Sequence, residues 1–315
     1  MRIALITNPV AGRSSGLAAA QEAEGEFREA GWEVLTRLTE GPGDAVRLAR
    51  DAVDEGVDAV FACGGDGTLS QVLTGLLDTG VPGGMIPAGT GNDFARTIGL
   101  NRDAARAARQ LVDGHPEDID LLEVNDSVLW AVNIIGVGFD AAVAARINRR
   151  RRLTGGRLAY LTGVAQELCG YRPTDLRLEV DGERWEGRAL LLAVANAQSY
   201  GGGMRIAPAA AVDDGLLDVV LVEHMGRLDF LRTFPKVLRG THIHHPAVRT
   251  WQAKEVTVDT PEPSPALVDG DVECDTPLRV RVSEGRARFW MPPPDVALEA
   301  APEAACSPHP RAASP

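Results

Sequence analysis

Four short apolar runs alternate with helical segments over the first 95 residues, and three of these runs end in glycine-bearing loops. Residues 2–7 (Arg-Ile-Ala-Leu-Ile-Thr) read as a buried strand. Loop 8–16 then opens a helix that stops at Ala30-Gly31, where glycine takes the left-handed residue after a helix end. Residues 32–38 read as a second strand, and Asp44 is expected to cap the helix that follows. Residues 57–63 form a third strand, leading into Gly64-Gly65-Asp66-Gly67-Thr68. The helix after it places Leu69, Val72, Leu73, Leu76 and Leu77 at helical spacing. A fourth strand at 83–86 enters Pro87-Ala88-Gly89-Thr90-Gly91-Asn92-Asp93-Phe94. Strand–helix alternation of this kind demands a parallel, doubly wound, Rossmann-like sheet with right-handed crossovers and helices on both faces.

After about residue 120 the pattern changes. Strand-like runs follow at 118–124, 127–135, 175–181, 185–196, 216–223, 254–259, 265–268 and 277–282, separated by turns such as Asp181-Gly182 and Asp214-Gly215 and interrupted by one helical stretch at 140–170. The expected architecture is therefore α/β followed by β: an α/β domain at 1–122, an antiparallel β-sandwich domain at 123–291, and a disordered tail at 292–315, rich in Pro, Ala, Glu and Ser.

The carboxyl ends of strands in an open α/β sheet form a ligand crevice. Glycine lets backbone N–H groups come close to an anion there, and a helix N-terminus adds positive potential. An acid inside such a loop repels phosphate unless a divalent cation lies between, so Asp66 implies magnesium, with the Thr68 hydroxyl on phosphate oxygen. Taken alone, Gly-Gly-Asp-Gly is equally a tight turn; its repetition at neighbouring strand ends favours phosphate. No G-x-x-x-x-G-K-[ST] occurs, which excludes a P-loop protein. Gly136-Val137-Gly138-Phe139-Asp140-Ala141 satisfies G-x-G-x-x-A, but no acid about 20 positions on would hold a ribose, so it is expected to be a strand-end turn.

The net charge of −12 over 315 residues excludes nucleic acid as a general partner. Arginines at 146, 149, 150, 151, 152 and 157 form a local exception, either a solvated helix end or a landing patch for anionic lipid. Four scattered cysteines without metal spacing fit a reducing cytosol. No run approaches the roughly 18 apolar residues of a membrane span. His242, His244 and His245 are expected to belong to a turn ending at Pro246 rather than to a zinc site.

The series Thr39, Gly43-Asp44-Ala45, Gly64 to Thr68, Pro87 to Arg96, Asn133 to Asp140, Asn196, Gly201-Gly202-Gly203, Asp213-Asp214-Gly215 and Asp269-Gly270-Asp271 resembles the catalytic domain of bacterial diacylglycerol and lipid kinases, relatives of sphingosine kinases. The resemblance spans nearly all the chain except the tail. It implies ATP held between the two domains through Asn8, Thr39, Gly64, Gly65, Asp66, Gly67, Thr68, Leu69, Ser70, Thr90, Gly91 and Asn92. It implies a base at Asp271, where the family ends an Asp-Gly-Glu motif and this chain carries an aspartate, one methylene shorter. Asp93 is expected to hold magnesium, bond the acceptor or cap the next helix, and Asp140 to touch the acceptor. Ala211, Asp214 and Leu216 are expected to hold a structural magnesium. The partners implied are a lipid acceptor and a membrane surface met through Arg146–Arg157. The expected location is cytoplasmic, peripheral at the inner membrane surface, and a homodimer stays open. A kinase of a soluble alcohol and a nucleotide-binding regulator without turnover are the alternatives.

Overall fold

Three of the four leading strands, at 2–7, 59–64 and 83–87, are buried on both faces, which explains why they pair in parallel under helices rather than in hairpins, while the strand at 33–38 lies at the sheet edge. The computed structural model describes residues 1–139, 141, 171 and 173–294. Asp140, the expected helix at 140–170, the Arg146–Arg157 cluster and the tail from 295 onward lie outside the described residues.

Strands β1 (Arg2–Thr7), β2 (Glu33–Leu38), β3 (Ala59–Gly64) and β4 (Gly83–Pro87) form a parallel sheet in the order β4-β3-β1-β2. Helices α1 (Ala11–Ser14), α2 (Gly16–Glu29), α3 (Asp44–Asp54), α4 (Asp66–Leu76), α5 (Asp93–Thr97) and α6 (Ala104–Val112) accompany it. Asp44 does not cap α3. Gly43, in the left-handed region at φ 79°, precedes the first turn, and the Asp44 carboxylate accepts from the Glu40 N–H and from Arg47.

The other described strands pair antiparallel with one another: β5 (His115–Val124), β6 (Leu129–Ala131), β7 (Ile134–Gly138), β8 (Thr174–Val180), β9 (Glu183–Ala195), β10 (Leu217–Glu223), β11 (Val248–Ala253), β12 (Glu255–Asp259), β13 (Pro265–Val268), β14 (Asp271–Asp275) and β15 (Leu278–Met291). A short helix, α7 (Arg227–Thr233), lies between β10 and β11. These strands enclose a second core of Leu122, Val137, Leu178, Leu192, Val219, Val258 and Val280.

Three differences from expectation have local causes. The run 127–135 is two strands, β6 and β7, because the backbone at 132–134 turns its N–H groups onto the Asp269 side chain. Gly136 and Gly138 lie inside β7 rather than in a turn. At Gly138 a Cβ would fall 2.7 Å from the Leu190 carbonyl oxygen of β9, and φ is 107°, so the strand needs glycine there. The last strand continues to Met291 instead of ending at 282, past an irregularity between Ser283 and Ala287.

That last strand serves both cores. Its first half buries Leu278 and Val280 in the second core, and its second half buries Ala287 and Phe289 in the first. Phe289 pairs in parallel with Gly83 of β4, which joins the described strands into one sheet. The chain is poor in aromatics, yet several gather here. Trp290 meets Trp32 edge-on at 5.9 Å, and Trp32 stacks on Phe27 at 5.0 Å. Pairs of this kind add about 0.5–1.5 kcal/mol each beyond their buried area.

Candidate active site

The three glycine-bearing loops close against one another at the carboxyl rim of the parallel sheet. A Cβ at Gly89 would lie 2.4 Å from the Gly65 Cα, and one at Gly12 only 2.2 Å from the Ala88 carbonyl oxygen. No side chain fits between backbones that close. The N–H groups of Ala88 and Gly89 both donate to the Gly64 carbonyl, at 2.9 and 3.1 Å. Asn8 joins the group: its Nδ2 donates to the Thr68 hydroxyl at 3.4 Å, while its Oδ1 accepts from the Val10 N–H. Helix α4 begins at Asp66, so its first N–H groups, which have no partner within the helix, open onto this rim.

The other expected nucleotide contacts divide. Thr90 and Gly91 stand at the open edge, and Asn92, left-handed at φ 54°, accepts from the Gly89 N–H through its Oδ1. Thr39 follows β2 at the same end of the sheet and donates its N–H to the Thr7 carbonyl. Leu69 is fully buried in the core, and the Ser70 hydroxyl donates to the Trp130 carbonyl at 3.0 Å. The Leu69 side chain thus packs into the core, and the Ser70 side chain ties α4 to β6.

Four carboxylates converge on this rim. Asp66 accepts from the N–H groups of Asp93 at 3.1 Å and Phe94 at 2.9 Å, and from Asn133 Nδ2 at 3.2 Å. It thereby joins the second loop, the third loop and the β-domain. Asp93 is buried and does not cap α5. Its oxygens accept from the N–H groups of Gly202 at 2.8 Å and Gly203 at 2.7 Å. Burial, with the charge of Asp66 adding to it, raises the Asp93 carboxyl above its ordinary range, while Gly202, Arg96 and Gly203 pull the other way.

Asp269 and Gly270 form a two-residue hairpin turn between β13 and β14, and Asp271 follows it as the first residue of β14. Asp269 at φ 47° and Gly270 at φ 104° take the left-handed conformations such a turn requires. The Asp269 carboxyl turns inward and accepts from the N–H groups of Val132, Asn133 and Ile134 at 2.7–3.1 Å. Burial pushes it up to about 6 despite those three donors, and the nearby Asp66 adds to the rise. Asp271 is exposed and faces the phosphate-loop helix: its Oδ2 lies 3.6 Å from where a Cβ would stand on Gly67. The hairpin of one domain thus sets a carboxylate over the helix start of the other.

The loop before β10 brings Ala211, Asp214 and Leu216 into one turn. The Asp214 carboxylate accepts from the Leu216 N–H at 3.1 Å, and the Gly215 N–H donates to Asp120. Among the described residues, no three His, Cys, Asp or Glu side chains cluster as a metal cage. The histidines diverge. His242 is buried, and His245 lies 3.5 Å from Asp229.

Asn133, Gly202, Gly203 and Asp269 were present in the motif series but carried no assigned role. The motif order was the only signal for them, because their partners lie 67 to 137 positions away in the chain.

Comparison with known proteins follows the same division. The diacylglycerol kinase catalytic domain matches residues 2–124, and the YegS C-terminal NAD kinase beta sandwich-like domain matches residues 133–289. A diacylglycerol kinase of Mycobacterium tuberculosis is 37% identical over 284 residues, covering 89% of this chain and 91% of its own. A diacylglycerol kinase of Bacillus subtilis is 32% identical over 273 residues, covering 86% and 89%. A probable lipid kinase YegS-like protein of Stenotrophomonas maltophilia is 33% identical over 294 residues, covering 89% and 94%. The crystal structure of a diacylglycerol kinase from Bacillus anthracis shares the fold, with a TM-score of 0.72 at 22% identity over 94% of this chain and 98% of that one. Loops meeting at the sheet rim, a β-domain hairpin set over them and identity sustained through both halves place this chain in the diacylglycerol kinase family.

Proposed function

We propose that the protein is an ATP- and magnesium-dependent kinase that phosphorylates a hydroxyl of a lipid, diacylglycerol or a relative of it, with Asp271 as the base. The single observation that carries this reading is the placement of Asp271 beside Gly67, at the positive end of α4. A base at that place can take the proton of an alcohol directed at a phosphoryl group cradled by the loop.

The rim residues fit both cofactors. The touching backbones at Gly65 and Gly89 leave no room for side chains, and the start of α4 beside them offers N–H groups without a partner inside the helix, which suits phosphate. The donor set is oxygen throughout, and burial raises the carboxyls of Asp93 and Asp269, with the charge of Asp66 adding to the rise. A divalent cation would relieve that repulsion. The lack of a dedicated cage among the described residues suits magnesium, which is commonly bound by one or two carboxylates together with substrate phosphates. Bound magnesium would neutralise charge on the transferring phosphoryl group.

The chain's own residues have separate tasks. Asp66 braces the second and third loops, Asp269 fixes the hairpin, and Asp93 holds the 201–203 loop against the cleft. Asp271 accepts the acceptor hydroxyl's proton on its carboxylate. Among the described residues, no helix is long and apolar enough to cross a membrane.

The test is incubation with γ-labelled ATP, magnesium and a total lipid extract, followed by chromatography. Label in a lipid product, abolished by chelation, is the expected result. Label only in a water-soluble product overturns the acceptor class. Nucleotide binding without any transfer leaves a regulator.

A further inference from the structure

Residues 227–239 form α7 and a 3-10 helical continuation, Phe234–Arg239. The inner side of this segment packs into the β-domain. Phe230, Thr233 and Val237 are buried, and Phe230 meets Phe139 at 5.5 Å and Phe234 at 5.6 Å. The outer side is also apolar. Leu228 is 72% exposed, Leu231 51% and Leu238 42%. Nine large hydrophobic residues are exposed among the described residues, and three of them fall in this one segment. A single exposed leucine needs no explanation, but a group of three within one short element does.

Basic side chains stand among the leucines. Arg227, Arg232, Lys236 and Arg239 are exposed, and Asp229 is the only acid in the stretch. Asp229 itself has His245 at 3.5 Å. On a chain of net charge −12 this segment is a local inversion of sign. Screening over about 8–10 Å keeps the distant acids from cancelling it. Outward leucines interleaved with cations suit the boundary between headgroups and acyl chains, where leucine enters the apolar layer and arginine stems reach back to phosphate.

We propose that residues 227–239 are a docking surface for an anionic lipid bilayer. The choice of a bilayer over a protein partner rests on the lipid-kinase reading together with this charge complementarity. The surface adjoins the cleft: the Arg205 N–H donates to the Val237 carbonyl at 3.0 Å, and Gly202 and Gly203 of the same loop hold Asp93. Docking there brings the bilayer up against the loop that borders the reaction site.

The test is co-sedimentation of the full chain with phosphatidylcholine vesicles, with and without phosphatidylglycerol, in the absence of nucleotide. The wild type is expected to bind the anionic vesicles and to lose binding in high salt. The triple variant Leu228→Ser, Leu231→Ser, Leu238→Ser should bind about tenfold less, and Arg232→Gln with Lys236→Gln should lose the preference for phosphatidylglycerol. Circular dichroism and ATP binding should match the wild type in both variants. Unchanged binding by the leucine variant overturns the proposal. So does a wild-type dimer that dissociates on the same substitutions, which would make this face a contact between copies. Because no turnover is read, failure of docking is distinct from failure of the kinase reading, which the labelled-ATP experiment reports.

Discussion

Asn133 Nδ2 donates to Asp66 Oδ1 at 3.2 Å, and the backbone N–H of the same Asn133 donates to Asp269 Oδ1 at 2.8 Å. One residue just before β7 therefore bonds the acid of the nucleotide loop and the acid of the base-bearing hairpin. Asn133 is buried, and both bonds are partly shielded from water. Its replacement by alanine should cost about 1–3 kcal/mol of stability. Chemical denaturation will show this as a lower midpoint at unchanged slope, and a midpoint equal to wild type would remove Asn133 from the frame of the site.

Asp271→Asn keeps the shape of the side chain and removes its basicity. Turnover should fall by roughly 10²–10⁴-fold. Stability should move by no more than about 0.5 kcal/mol, because the residue is exposed. Steady-state kinetics beside a melting curve separates the two effects, and near-normal turnover would assign the proton to another group.

Asp269→Asn separates the inward acid from the outward one. Asparagine tolerates the left-handed turn at this position, so the hairpin can still form. Its amide, however, offers one acceptor oxygen to the three N–H groups that the carboxylate satisfies. A loss of about 1–3 kcal/mol is expected, together with slower turnover as Asp271 loses its fixed support. Equal stability in urea would contradict this account.

Burial, with the neighbouring His244 adding to it, lowers the His242 imidazole to about 4, while the Ile206 backbone works the other way. The folded protein therefore prefers the neutral ring, and the unfolded chain binds more protons between about pH 4 and 6.5. Stability contributed by this group is complete above pH 6.5 and is lost as pH falls through that window. His242→Phe should flatten this part of the pH–stability curve. A curve with the wild-type slope between pH 4 and 6.5 would rule out His242 as its source.

The parallel half of the fold was legible because β1, β3 and β4 are short buried runs, each leading into a glycine-bearing loop, so their limits are written locally. The phosphate rim was legible for the same reason. The roles of Asp93 and Asp269 were not, since what decides them is a backbone N–H more than a hundred positions away. The extent of β15 was hidden by its own construction. Its register shifts between Ser283 and Ala287, which breaks the two-residue alternation where the strand passes from one core to the other.

Because one unbroken ribbon from Leu278 to Met291 is embedded in both hydrophobic interiors, neither lobe can melt while leaving its companion whole. Heating should produce a single calorimetric peak, and cutting the chain before Ala287 should unravel the nucleotide half despite leaving every one of its loops in place.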